Sequence, residues 1–344
     1  MSAPGAAGDA RPQLAHSQGD AAWSLQARAS LVATDAKLAK RFDQGEEVDR
    51  LVALRARAAD QLLNEAWALC LPHDAPLALF AVGGYGRGEL FPHSDIDLLV
   101  LADADTQQLH HSALARFFAS VWDAGLPVSH AVRSGSQCTQ AAADQTVLTA
   151  LIESRPLCAS QQAQADLAAA IAPALVWPAR DFFVAKRSEM HARHARFGDT
   201  SENLEPNIKD GPGGLRDLHT LGWMAQRAFG VSELGPLVEL GHVGADEAAA
   251  LARERRALGR LRYGLHLVAA RPEERLLFDH QRSLAERLGF ADDAESLGVE
   301  KLMQGFYRSA AVVRRLSDRL LQRFEEQFDG EAAPEPMDDD FALR

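Results

Sequence analysis

The chain has 344 residues, of which 47% are hydrophobic and 24% are charged, and its formal net charge is −12. This length predicts about two domains, and the composition is typical of a globular protein. The acidic balance argues against a general nucleic-acid-binding surface, which is normally basic. No apolar stretch approaches the roughly 20 residues of a membrane span. The three cysteines are too sparse for a disulfide framework. We therefore expect a cytoplasmic protein with neither a membrane nor a nucleic acid as partner.

The two ends of the chain differ in pattern from its middle. Residues 1–22 lack a basic start followed by an apolar core, so they are expected to form a disordered tail and not a signal peptide. Leucine and alanine then recur at three- and four-residue steps, which predicts N-terminal helices over 23–72. The acidic, proline-containing residues 330–344 indicate a tail or a linker.

An α/β unit is predicted over 73–160. Its elements, in chain order, are two buried strands, a helix and a third, alternating strand, at 77–82, 95–101, 110–125 and 126–133. From about residue 140 the periodicity is almost wholly helical. Residues 161–329 are therefore expected to form a second, helical domain.

A run of glycines follows directly on the first predicted strand, in the segment AVGGYGRGEL. Glycine permits positive φ and lets a ligand approach the backbone N–H groups closely, so Gly83 and Gly84 are candidate phosphate-binding residues. Arg87 offers a positive charge for the same anion. A dinucleotide fingerprint fails because Glu89 stands where a third glycine is needed, and no lysine completes a P-loop.

Two aspartates stand on the second predicted strand. Asp95 and Asp97 alternate, so both carboxylates leave the strand on one face, whereas Ile96 and Leu98 point into the core. Converging carboxylates repel each other unless a cation lies between them, and Mg²⁺ takes a few carboxylates together with substrate phosphate oxygens. Directly downstream of a glycine turn, this pair predicts metal-dependent phosphoryl transfer, with Asp95 and Asp97 as catalytic and metal-binding residues.

A second segment, NLEPNIKDGPGGLRDL at 203–218, interrupts the helical pattern. Pro206 and Pro212 restrict its backbone, and charged residues crowd around its glycines. Lys209 and Arg216 are candidate partners for nucleotide phosphates. The alternative is a buried ion-pair cluster that joins the two domains, and the residues alone leave both interpretations open.

The glycine turn, short helix and Asp-x-Asp strand resemble those of the DNA polymerase β nucleotidyltransferase superfamily. The string GGYGRGEL-FPHSDIDLLVL is similar to one branch, the protein-PII uridylyltransferase/uridylyl-removing enzymes. Residues 203–218 and the strings ESRPL, HARHARF and RLLFDHQ look similar to the same family, so the resemblance covers residues 45–328. It implies an α+β fold, in which a polymerase β-like nucleotidyltransferase domain, a small mixed sheet with helices, precedes a mainly α-helical domain.

This resemblance implies Mg²⁺-dependent transfer of UMP from UTP to a tyrosine of the signalling protein PII, with release of pyrophosphate. It also implies that Gly83, Gly84 and Ser94 cradle the triphosphate. Two alternatives stay open. One is an enzyme of the same fold with another nucleotide or acceptor, such as an adenylyltransferase. The other is a non-catalytic module that only binds a nucleotide.

The superfamily generally uses a third carboxylate on a later strand, where this sequence has Ser129 and His130. Glu153 is our candidate for this third metal ligand, with Asp144, or no third ligand, as alternatives. Relatives continue into an HD phosphohydrolase domain and paired ACT domains, whereas this chain stops at Arg344. We expect either an enzyme that transfers UMP without hydrolysis or glutamine control, or a fragment of a longer one.

Overall fold

The computed structural model describes residues 18–330 and the short segments 335–336 and 342–343. Two long helices begin the fold, α1 (Gln18–Asp43) and α2 (Val48–Cys70). They correspond to the helices predicted over 23–72. Residues 1–17 of the predicted tail lie outside the described residues, whereas the remainder of that tail forms the first turn of α1.

A four-stranded sheet follows, with the order β3-β2-β1-β4. Its strands are β1 (Ala78–Ala81), β2 (Ile96–Leu101), β3 (Val128–Arg133) and β4 (Arg155–Cys158). Strand β2 is parallel to β3 and antiparallel to β1, and β1 is antiparallel to β4. The expected α+β class with a small mixed sheet is therefore confirmed.

Strand β4 corrects the prediction that the pattern is helical from about residue 140. It is four residues long, lies at the edge of the sheet and contains Pro156, which is opposite Phe80 of β1. Proline is tolerated in an edge strand because its missing N–H weakens no central ladder. So short a strand, with a proline and no full alternation, has no recognisable sequence pattern.

Six helices lie within and just after the sheet region: α3 (Gly83–Gly86), α4 (Ala104–Leu109), α5 (His111–Asp123), α6 (Gly135–Ala141), α7 (Gln145–Ile152) and α8 (Gln161–Ala170). One sheet face, including Ile96 and Leu98, packs against α1, α2 and α5. The other face, including Phe80 and Leu99, packs against α6, α7 and α8. Because strand side chains alternate, Asp97 leaves β2 on this second face.

The rest of the fold is helical, with α9 (Ala179–Ala195), α10 (Leu215–Phe229), α11 (Leu234–Glu239), α12 (Ala245–Ala269), α13 (Phe278–Arg287) and α14 (Gly298–Gly330). Helix α12 packs against α2 and the loop before β2. Tyr263 stacks on Phe42 with ring centroids 4.9 Å apart, and Gly259 lies against Val48 and Phe91. This contact places α12 next to the end of the sheet at which β2 begins, one residue before Asp97.

Most of the predicted acidic tail at 330–344 lies outside the described residues. Within it, β5 (Glu335–Pro336) pairs antiparallel with β6 (Ala342–Leu343). In the part of the chain that the structure describes, no helix combines the length and apolar character needed to cross a bilayer.

Candidate active site

The glycine turn lies directly against the second aspartate. Gly83, the first residue of α3, has a positive φ of 59°, and a Cβ atom there would stand 3.3 Å from Asp97 Oδ2. Gly86 has no room for a side chain, because its Cβ would lie 2.0 Å from the carbonyl oxygen of Glu153. The Val82 N–H donates to the Asp97 carbonyl at 3.0 Å. Backbone contacts thus fix the distance between the turn and Asp97.

The two aspartates are close enough to repel each other. Asp95 is exposed and immediately precedes β2, whereas Asp97 is half-buried within the strand. Burial raises the pKa of Asp97, and the negative charge of Asp95 raises it further. A bound cation would relieve this repulsion, and the pair of oxygen ligands is of the kind that Mg²⁺ accepts. The donor set therefore fits the expected metal.

Lys209 of the second segment lies within electrostatic range of the same carboxylate. Its ammonium charge lowers the pKa of Asp97, opposing the effects of burial and of Asp95. Burial in turn lowers the pKa of Lys209, while the charge of Glu274 raises it. The Lys209 Nζ lies 3.8 Å from Glu274 Oε1. The fold thus brings together the glycine turn, the aspartate pair and the second segment.

Glu274 joins Lys209 to helix α12. Arg262 donates to Glu274 Oε2 at 2.9 Å, and the His266 Nε2 lies 3.8 Å from Glu274 Oε1. Burial alone would raise the pKa of Glu274, but the nearby His266 imidazole and the charge of Arg262 lower it to about 2. Sequence reasoning did not find Glu274, since nothing local separates it from the neighbouring Glu273.

Arg262 and His266 of α12 also contact the loop that leads into β2. The Arg262 guanidinium lies 4.3 Å from the centroid of the Phe91 ring, and His266 Nδ1 donates to the Pro92 carbonyl. Ser94 follows in this loop, and its hydroxyl is buried with no hydrogen-bond partner among the described residues. Such an orphaned polar group next to Asp95 calls for a partner from outside the chain.

Arg87 is held by two carboxylates. Its Nε donates to Glu89 Oε2 at 2.9 Å, and its Nη1 donates to Glu153 Oε1 at 2.6 Å. Trp223 Nε1 also donates to Glu153 Oε1, and the Glu153 side chain is only 8% exposed. Arg87 Nη2 lies next to Gly84, where an added Cβ would be 3.6 Å away. The Arg87 guanidinium therefore packs against the glycine turn while it is paired with Glu153.

The role of Glu153 as a third metal ligand stays a prediction, and its carboxylate here accepts from both Arg87 and Trp223. Its carboxylate is neutralised by Arg87, while Asp144 caps α7 by accepting from the Thr146 N–H at 2.7 Å. Within the described residues, no three His, Cys, Asp or Glu side chains are grouped to hold a metal ion. Asp95 and Asp97 are the predicted metal-binding carboxylates, and substrate phosphate oxygens would supply further ligands.

The second segment contains the ion-pair cluster that was one of the two interpretations left open by the sequence, while phosphate binding by Lys209 and Arg216 stays a prediction. Asp217 is fully buried and accepts from Arg193 Nη2 at 2.8 Å, from His194 Nε2 at 2.9 Å and from the Gly213 N–H at 2.7 Å. This is the ion-pair cluster. Arg216 donates to Asp210 Oδ1 at 3.2 Å, and its guanidinium lies 5.4 Å from the Trp223 ring centroid.

Comparisons with known proteins agree with this geometry. Residues 181–321 match the family model described as GlnD PII-uridylyltransferase. Residues 33–130 match a putative nucleotidyltransferase family, DUF294. The first match falls on the helical part and includes the second segment, and the second match covers β1, β2 and the beginning of β3 and includes the glycine turn and both aspartates.

Similar curated proteins carry one name, bifunctional uridylyltransferase/uridylyl-removing enzyme. The protein from Xanthomonas campestris pv. campestris strain B100 is 73% identical over 326 residues, covering 95% of this chain and 38% of the relative. The protein from Pseudomonas aeruginosa strain LESB58 is 45% identical over 291 residues, covering 84% of this chain and 32% of the relative. The chain thus spans under two fifths of the length of these relatives. Over 95% of its own length, the chain is therefore similar to part of a bifunctional uridylyltransferase/uridylyl-removing enzyme.

Proposed function

We propose that this chain transfers UMP from UTP to a tyrosine hydroxyl of the protein PII and releases pyrophosphate. One observation carries the proposal: Asp97 lies directly against the glycine turn, with Asp95 two residues before it on the chain. Two carboxylates, a backbone turn open to phosphate and a cation form the set that phosphoryl transfer from a nucleotide needs. The names of the relatives support the choice of UMP and of PII.

In this proposal Asp95 and Asp97 hold Mg²⁺. When bound, Mg²⁺ would lower the pKa of the attacking hydroxyl and neutralise charge on the leaving phosphates. Gly83 and Gly84 leave their backbone N–H groups open to phosphate oxygens, because these two residues have no side chains of their own. Lys209, which lies 3.8 Å from Glu274 Oε1, adds a positive charge near Asp97.

The reaction is an in-line displacement at the α-phosphorus. A bond forms between the tyrosine oxygen and the α-phosphorus, and the bond from that phosphorus to the oxygen bridging the β-phosphate breaks. The bond electrons leave with pyrophosphate, and the hydroxyl proton passes to solvent. Catalysis then depends on positioning and charge neutralisation, which the fixed turn and the cations of the second segment provide.

The three free cysteines support a reducing, cytoplasmic setting for this activity. The direct test is mass spectrometry of PII after incubation with this chain, Mg²⁺ and each nucleoside triphosphate in turn. A mass gain equal to UMP with UTP alone supports the proposal. A mass gain with another nucleoside triphosphate would identify that nucleotide as the donor in place of UTP. No mass gain with any nucleotide would overturn the transferase assignment.

A further inference from the structure

Glu89 ends the glycine turn and closes it through its main chain. The Glu89 N–H donates to the Gly84 carbonyl at 3.0 Å, and the Arg87 N–H donates to the Gly83 carbonyl at 3.1 Å. The loop that these bonds close carries both candidate phosphate-binding glycines. A displacement of Glu89 is therefore transmitted to Gly84 through one backbone hydrogen bond.

Among the described residues, three side chains surround the Glu89 carboxylate. Arg87 Nε of the turn itself donates to Oε2 at 2.9 Å, and Arg255 Nη1 of α12 donates to Oε1 at 3.2 Å. His219 Nε2 of α10 lies 3.5 Å from Oε2. Burial alone would raise the pKa of Glu89, but the charge of Arg87 and the nearby His219 imidazole lower it well below its usual range. An ionised carboxylate of the turn is therefore held by two helices of the helical part.

The turn is tightly packed on one side and open on the other. A Cβ at Gly86 would lie 2.0 Å from the Glu153 carbonyl oxygen, whereas one at Gly88 would meet no described residue within 4 Å. A cavity of about 690 Å³ lies between the turn and the helical part. Its lining includes Gly88, Glu89, His219 and Arg255, together with Leu221, Leu237 and Leu251. The contacts of Glu89 therefore link the turn to the helical part across an open space, where close apolar packing does not fix it.

We infer that Glu89 is a positioning residue, through which Arg255 and His219 of the helical part hold the glycine turn in its phosphate-binding shape. The inference rests on the proposed function, because it assigns the turn to the phosphates of a nucleotide. Glu89 does not touch the nucleotide; it fixes the backbone N–H groups that do. Small errors in the position of such donors weaken binding strongly, since hydrogen bonds depend steeply on distance and angle.

Hydrogen exchange of the backbone amides from Gly83 to Glu89 measures the stability of the turn without any ligand. Arg255→Met removes one contact of the Glu89 carboxylate and is expected to speed this exchange roughly threefold to tenfold, because local opening becomes easier. Glu89→Gln removes the charge that all three partners share, so exchange should be faster by about tenfold or more. Wild-type exchange rates in both variants would overturn the inference.

Asp49→Asn is the matched control for Arg255→Met. Asp49 of α2 accepts from Arg255 Nη2 at 2.8 Å, so this variant removes the other contact of the same arginine and leaves the contact with Glu89 in place. Exchange in the turn is expected to stay within about twofold of the wild type. If Asp49→Asn speeds exchange as much as Arg255→Met does, Arg255 acts through α2 and not through Glu89, and the inference fails.

Calorimetric titration with UTP and Mg²⁺, in the absence of PII, measures the consequence for the nucleotide. Glu89→Gln should raise Kd about tenfold and Arg255→Met roughly threefold, because the N–H donors of the turn are then less well placed. The double variant should bind no more weakly than Glu89→Gln alone, since Arg255 acts through Glu89. Two effects that multiply in the double variant would contradict the inference, because independent structural losses add in free energy.

The outcome is separable from that of the proposed function. If exchange in the turn depends on Glu89 and Arg255 but PII gains no UMP, the positioning role stands and the proposed function fails. If PII gains UMP while both variants exchange and bind UTP as the wild type does, the positioning role fails alone. If Glu89→Gln does not fold, the comparison of Arg255→Met with Asp49→Asn decides, because the Arg255 side chain is 37% exposed and its loss is milder.

Discussion

Lys209 lies close enough to Asp97 for its ammonium charge to lower the pKa of that carboxyl. The two residues belong to segments far apart in the chain, one in the loop before α10 and one in β2. Because Glu274 holds Lys209 and its partners Arg262 and His266 hold the loop before β2, one glutamate supports both sides of the site.

Removing the charge of Lys209 is expected to slow transfer. Lys209→Met takes away a cation beside Asp97, so kcat/KM for UTP should fall roughly 10- to 100-fold, the scale of one or two lost charge-assisted contacts. Steady-state kinetics with UTP and PII would measure it. Lys209→Arg is the control and should retain most of the rate. Equal rates in Lys209→Met and the wild type would remove Lys209 from the site.

Glu274→Gln is expected to destabilise the fold in a pH-dependent manner. The pKa of Glu274 is lowered to about 2 from 4.5, so its ion pairs stabilise the folded state fully above about pH 4.5. That stability is lost as pH falls from about 4.5 toward 2. At pH 7 the variant leaves Arg262 without its charged partner, and the free energy of unfolding should drop by roughly 2–4 kcal/mol.

Urea titrations of the wild type and Glu274→Gln at several pH values would measure this. The difference in the free energy of unfolding should narrow as the pH is lowered below about 4.5, because the wild-type glutamate is then protonated. A difference that stays constant down to about pH 2 would show that the Glu274 charge contributes nothing to stability.

Two glycines of the same turn should respond differently to alanine. A Cβ at Gly86 would lie 2.0 Å from the Glu153 carbonyl oxygen, whereas one at Gly88 has open space within 4 Å but must adopt a positive φ of 74°. Gly88→Ala should cost about 1 kcal/mol of backbone strain. Gly86→Ala should lower the free energy of unfolding several times more, because the backbone must move to make room for the Cβ atom. Thermal unfolding would compare them, and equal losses would contradict the close packing.

The parts of the site that depend on local patterns were predictable from the sequence. The glycine turn and the alternation of Asp97 with Ile96 and Leu98 are contiguous, so strand periodicity places them. The approach of Lys209 to Asp97 was not predictable from the sequence, because it depends on how α12 packs against α2. The pairing of Glu153 with Arg87 was missed for the same reason, since a carboxylate's partner is set by tertiary contacts and not by its neighbours in the chain.

The most direct measurement of the central claim is the rate of UMP transfer to PII by Asp97→Asn, compared with Asp105→Asn. Asp105 is an exposed residue of α4, so its variant loses the same charge without touching the site. Asp97→Asn is expected to lower kcat by roughly 10²–10³, the scale of losing one electrostatic contact to the transition state. Asp105→Asn should leave kcat unchanged. If both variants transfer UMP at the wild-type rate, the aspartate pair is not the catalytic centre.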